Sequence, residues 1–192
     1  MNRTDIILQL LANKETPIVG TTRLQKLLFL VENEKHIKGD GNDGSFDFKP
    51  YKFGPFSQKL CDDIEFLVNL GYLEKSGESQ IVDQTILLDD IETLKANDFL
   101  SSKANSDSII DEDDSENQVD VNTTTDDSVV YRITDKGIKY LKDNKVLYSN
   151  IANQIVQIRE KYGKRALIEL LQYTYQKYPG YTTESEIKDK IV

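Results

Sequence analysis

A mainly helical α+β fold with a small β-hairpin is what this 192-residue sequence predicts, and three observations predict it. Three segments before residue 75 repeat apolar residues at three- and four-residue spacing, the mark of amphipathic helices. Two short apolar stretches, QIVDQTILL at 80–88 and VVYRIT at 129–134, read as the strands of a hairpin with a long loop. Helical spacing then resumes from residue 135.

The elements follow in order. Residues 3–13 make a short helix with Ile6, Ile7, Leu10 and Leu11 inward and Asn2 or Thr4 as cap. Pro17 and Gly20 interrupt the chain before TTRLQKLLFLVENEKHI, a second helix capped by Thr21 or Thr22. Its stripe is Leu24, Leu27, Leu28 and Val31. Residues 38–45, with Gly39, Gly41 and Gly44, form a surface loop. FDFKPYKF alternates aromatic and polar residues and runs into the Gly54-Pro55 turn.

Ser57 then caps a third helix whose inward face is Leu60, Ile64, Leu67 and Val68, and Gly71 ends it in a left-handed conformation. Its other face carries Gln58, Lys59, Asp62, Asp63, Glu65 and Asn69. Leu24, Leu27, Leu28, Leu60, Ile64, Leu67 and Ile133 are expected to share one core.

Residues 89–127 differ in kind. Their first part suits a weak helix, but residues 101–128 are rich in Ser, Asp and Asn and too poor in apolar groups to offset ordering entropy. A disordered or loosely held acidic insertion is expected there. DKGIKYLKDN forms the next helix, capped by Thr134 or Asp135. SNIANQIVQIREKYG has Ile151, Ile155 and Ile158 as its stripe, and KRALIELLQYTYQKYP has Leu167, Leu170, Leu171, Thr174 and Tyr178 on one side. Pro179-Gly180 stops that helix. Thr183-x-x-Glu186 has capping-box spacing and opens a last helix ending near Ile191.

Three helices, a strand, a long loop, a strand and a helix is the order of a winged helix-turn-helix. The third helix takes the recognition position and the 88–129 connection takes that of the wing. The domain division is a winged-helix domain over 1–148, interrupted by the insertion at 101–128, and a helical extension over 149–192.

Charge is unevenly spread. Residues 1–75 hold 10 Lys/Arg against 11 Asp/Glu, residues 76–128 hold 2 against 15, and residues 129–192 hold 12 against 7. The acidity sits in one segment, so the net charge of −9 does not by itself exclude nucleic acid. One Cys excludes an internal disulfide, no apolar run reaches the roughly 20 residues of a membrane span, and the N-terminus has no signal-peptide pattern. A cytoplasmic protein is expected, with no membrane partner.

TRLQKLLFLVE, YKFGPFSQKL, FLVNLGYLE and YRITDKGIKYL together resemble the YwgA-like and Panacea-type proteins of bacteria and archaea. The tail KYGKRALIELLQYTYQKYPGYTTESEIKDKI is similar to the YwgA-like group in its Tyr-x-x-Tyr-Pro and Ser-x-Ile spacing. The likeness spans most of 20–75 and 130–192; the long acidic connection departs from the usual pattern. It implies a winged-helix-like fold, a phage-associated setting and, for some members, an antitoxin role.

No catalytic constellation stands out. His36 lies in a charged helix end without a motif partner. Cys61 has Asp62 and Asp63 beside it, which raise a thiol's pKa, and Gly39-x-Gly41-x-x-Gly44 lacks the strand and helix of a nucleotide loop. The sequence therefore predicts a non-enzyme without cofactor or metal. A DNA-binding regulator is the first expectation, and a protein-binding antitoxin or adaptor in a phage-defence or mobile-element context is the alternative. In a DNA-binding regulator of transcription, Arg23, Lys26, Lys49, Lys52, Gln58, Lys59, Arg132 and Lys136 would meet double-stranded DNA, with Lys52, Lys59 and Arg132 on phosphates. In an antitoxin or adaptor, Asp62, Asp63 and Glu65 would dock a partner protein such as a toxin or nuclease. Tyr173, Tyr175, Tyr178 and Tyr181 would add aromatic surface to that contact or to a homodimer.

Overall fold

The computed structural model describes residues 1–77 and 129–191. Among them are seven α-helices and one antiparallel sheet: α1 (Arg3–Leu10), β1 (Ile18–Val19), α2 (Thr21–Glu34), α3 (Gln58–Asn69), β2 (Leu73–Ser76), β3 (Val130–Ile133), α4 (Asp135–Asp143), α5 (Asn150–Tyr162), α6 (Leu167–Lys177) and α7 (Lys188–Ile191). Single 3-10 turns occupy Val146–Tyr148 and Pro179–Tyr181. The fold class is α+β. The predicted strand at 80–88 and the acidic insertion at 101–128 lie outside the described residues.

α2 is the central helix. Every residue from Leu24 to Glu32 is buried, which a one-sided stripe does not predict. α5 packs against both α1 and α2, α6 packs against α2, and α1 also meets α3 and α4. The seven residues expected in one core are all there, none more than 4% exposed. Residues of α5 and α6 (Ile155, Ile158, Tyr162 and Leu170) belong to that same core.

Local chemistry fixes most helix ends. Asn2 caps α1 and forms a capping box with Asp5, accepting from the Asp5 N–H while Asp5 accepts from the Asn2 N–H. Thr134 and Ser149 cap α4 and α5 in the same side-chain manner. α2 departs from expectation: its cap is Gly20, at φ +91°, with no side-chain bond, and Thr21 lies inside the helix with its hydroxyl 2.9 Å from the Tyr131 hydroxyl. α2 also stops at Glu34 instead of running to Ile37, and His36 takes φ +54°.

The sheet order is β1-β3-β2, with Leu73 opposite Ile133 and Ile18 opposite Tyr131. Its first long strand begins where the third helix was expected to end. The reason is a Schellman turn: the Gly71 N–H donates to the Val68 carbonyl and the Tyr72 N–H to the Leu67 carbonyl, both at 2.9 Å. Gly71, at φ +70°, reverses the chain straight into β2.

Two C-terminal expectations are corrected. Ile151 is 38% exposed, because α5 turns Ala152, Ile155, Ile158 and Tyr162 to the core. The Thr183–Glu186 capping box does not form. Glu186 instead donates its N–H to the Lys52 carbonyl and pairs its carboxylate with Lys52 Nζ at 3.4 Å, so α7 begins only at Lys188.

Candidate functional site

The chain ahead of α3 is held from behind by α2. Lys49 and Phe56 exchange backbone hydrogen bonds at 2.9 Å, and the Gly54 N–H closes a turn onto the Tyr51 carbonyl. Gly54 sits at φ +80°, and a Cβ there would stand 2.8 Å from Tyr175 Cε1, so only glycine fits. The buried Gln25 amide spans Ser57, accepting from its N–H at 3.0 Å and donating to its carbonyl at 3.1 Å. Ser57 Oγ in turn accepts from the Leu60 N–H, starting α3. The turn and its two supports fix how α3 leaves the core.

What α3 presents outward is acidic and apolar. Gln58, Asp62, Glu65 and Asn69 share one exposed face at helical spacing, and Gln58 Nε2 donates to Asp62 Oδ1 at 3.0 Å. Phe66, 54% exposed, lies at the edge of that face, and Leu70 is 38% exposed one turn on. The only basic residue from Gln58 to Asn69 is Lys59, whose ammonium is 2.5 Å from Asp43. Lys59 and Arg3 hold the Asp43 carboxyl below its usual range. Phe66 was missed as a surface residue by sequence reasoning. Its signal was available, since it falls four residues after Asp62 and off the Leu60–Ile64–Leu67 stripe.

The predicted DNA contacts do not converge. Lys26 is 2% exposed and donates to the Pro55 carbonyl at 2.9 Å; it supports the turn and cannot reach a phosphate. Arg23 is half-buried and donates to the Arg165 carbonyl at 2.6 Å. Lys136 donates to the Leu70 carbonyl at 2.7 Å, closing the C-terminal end of α3. Lys52 meets Glu186, and Lys49 stands 3.7 Å from Asp47. Arg132 is exposed on β3, directly opposite Glu74.

The predicted protein-interface residues also divide. Asp62 and Glu65 face outward, but Asp63 is forked by Arg3 of α1. Tyr175 is 2% exposed, with its hydroxyl 2.7 Å from Ser185 Oγ, and burial pushes its pKa up to about 12. Tyr178 and Tyr181 pack edge-on to Phe29, with ring centres at 5.0 and 4.8 Å. Tyr173 donates to Glu34, which also accepts from Tyr162 and from Lys177 at 2.8 Å. Burial drives the Glu34 pKa upward, but Lys177 and the two tyrosines together leave it below its ordinary value. These aromatics bind the C-terminal helices to α2; they are not a free surface.

Cys61 is half-buried with its pKa raised, first by burial and then, against a weak contact from Gln25, by Asp62 and Glu65. Asp63, expected to contribute, is neutralised by Arg3 instead. His36 is exposed. No helix among the described residues is long and apolar enough to cross a membrane. No protein-family model, curated protein or solved structure matches the chain.

Proposed function

We propose that this protein is a binding module of antitoxin or adaptor type, in which the outer face of α3 docks a partner protein. The observation that carries the reading is the pairing of Asp62 and Glu65 with the exposed ring of Phe66 on one helix face. An exposed aromatic at the edge of a charged helix face suits a protein contact, since aromatics are enriched at interfaces and among their energetic anchors. The carboxylates select a partner with a basic surface, such as a nucleic-acid-handling toxin or nuclease, and steer its approach.

A winged-helix architecture fits the order of α1, α2, α3, β2, β3 and α4. In that arrangement α3 would be the helix offered to DNA, and its acidic face disfavours that use. Surface ion pairs are worth only about 0–1 kcal/mol, so the paired state of Lys49, Lys52 and Lys59 does not decide the matter. Carboxylates facing a phosphate-lined groove support the protein-docking reading, because they oppose the counterion release that drives duplex binding.

Two double variants test the reading. Asp62→Lys/Glu65→Lys reverses the face of α3, and Lys49→Glu/Arg132→Glu reverses two exposed cations of the predicted DNA-contact set. Partner capture from the cell of origin is expected to be lost in the first and kept in the second. Duplex binding that falls steeply between about 50 and 200 mM salt, and is lost in the second variant alone, would overturn the proposal in favour of a DNA-binding regulator.

A further inference from the structure

A second feature lies on another side of the molecule, between the α1–β1 connection and α5. There a cleft of about 380 Å³ opens. That volume falls in the range of roughly 300–1,000 Å³ typical of small-molecule sites. Pro17 and Val156 contribute apolar wall, and the exposed Lys164 and Glu160, of opposite charge, also line it, which leaves the charge of Arg159 as the excess.

Two of its lining residues have unmet chemistry. Gln9 is 4% exposed, and its Oε1 is buried without a hydrogen-bond partner. A buried acceptor of this kind normally has a donor, from protein, water or ligand. Arg159 reaches from α5 across the cleft and donates to the carbonyls of Leu10 and Thr16 and, at 3.1 Å, to Thr16 Oγ1. All three partners are neutral. No carboxylate among the described residues pairs with this guanidinium, and burial accordingly lowers its pKa. A half-buried cation without a counter-ion favours an anion.

We propose that this cleft binds a small organic anion that also carries an N–H donor. The combination is that of an N-acyl amino acid or the last residue of a peptide. The carboxylate would sit by Arg159 and Lys164, the N–H would satisfy Gln9 Oε1, and an apolar side chain would lie against Pro17 and Val156. Guanidinium suits a carboxylate through its planar fork, and Gln9 supplies the selectivity, since a ligand lacking the donor leaves the acceptor unpaired.

The test is a titration of the isotope-labelled full chain with N-acetyl-leucine, followed by amide and side-chain resonances. Saturable shifts are expected at Gln9, Asn13 and Arg159. N-acetyl-leucinamide, which lacks the carboxylate, is expected to bind about tenfold more weakly or worse. Acetate, which lacks the donor, should also bind more weakly. Because Arg159→Gln also removes bonds that hold the α1–β1 connection, Gln9→Met serves as the second variant. It keeps the side-chain length and removes the acceptor, so it should weaken N-acetyl-leucine and leave acetate unchanged. Tighter binding of Ala-Ala-Leu than of N-acetyl-leucine would assign a peptide end, and equal affinity a free acyl amino acid. Equal binding of the acid and the amide, or no shift at all with any probe, overturns the proposal.

Discussion

Arg3 on α1 forks the carboxylate of Asp63 on α3: Nε donates to Oδ2 at 2.7 Å and Nη2 to Oδ1 at 3.1 Å. Both side chains are less than one-fifth exposed, and the pair raises the Arg3 pKa further above its already high value. Two helices that sequence reasoning treats separately are thus tied at the edge of the candidate docking face. Asp63→Asn keeps the volume and removes the charge. It should lower stability by about 1–3 kcal/mol, because charge-assisted hydrogen bonds are worth that much where they are partly shielded. Denaturant unfolding reads this directly. A loss under about 0.5 kcal/mol would place the pair among ornamental surface contacts.

Ile64 is 4% exposed in the core beneath α3. Ile64→Ala should cost about 2–5 kcal/mol, the range for large-to-small changes at packed sites. Near-neutral behaviour in thermal unfolding would mean that α3 does not pack as described.

Glu34 gives a pH dependence. Its folded pKa is lowered from an ordinary 4.5 by Lys177 and the tyrosines acting against burial. A lowered folded value means that the contribution is present above 4.5 and is lost as pH falls through the folded value. Wild type should therefore lose more stability between pH 6 and about pH 3 than Glu34→Gln does. Parallel curves for the two proteins would show that the network does not hold the carboxylate.

Gly54→Ala adds a methyl group at φ +80° against the Tyr175 ring. Strain from the backbone and the ring contact act together, so a loss exceeding about 1 kcal/mol is expected. The same substitution at Gly180, which has open space and no positive φ, should be close to neutral in the same unfolding assay.

Much of the fold was legible in the sequence because its signals are local. The Ser57 and Thr134 caps, the Gly71 terminator and the Leu60–Ile64–Leu67 stripe each act within a few residues, and each stands where the spacing puts it. What periodicity could not show is which charged residues fold back onto the protein. Lys26 reads as a surface cation beside Arg23, yet it is buried on the Pro55 carbonyl, a partner 29 residues away. Tyr175 and Glu34 were likewise decided by long-range contacts. Of the candidate site, Asp62 and Glu65 were legible. Phe66 was legible in its spacing, four residues after Asp62 and off the Leu60–Ile64–Leu67 stripe, but an aromatic among apolar neighbours reads first as core.

The docking face of α3 is the centre of this account, and a photocrosslinker at position 66 tests it most directly. With Phe66 replaced by benzoyl-phenylalanine, irradiation in the cell of origin should give one discrete protein adduct. That adduct should be sensitive to protease, resistant to nuclease, and absent when Asp62→Lys and Glu65→Lys are added to the same chain. A nuclease-sensitive adduct, or one that survives reversal of both carboxylates, would contradict the account.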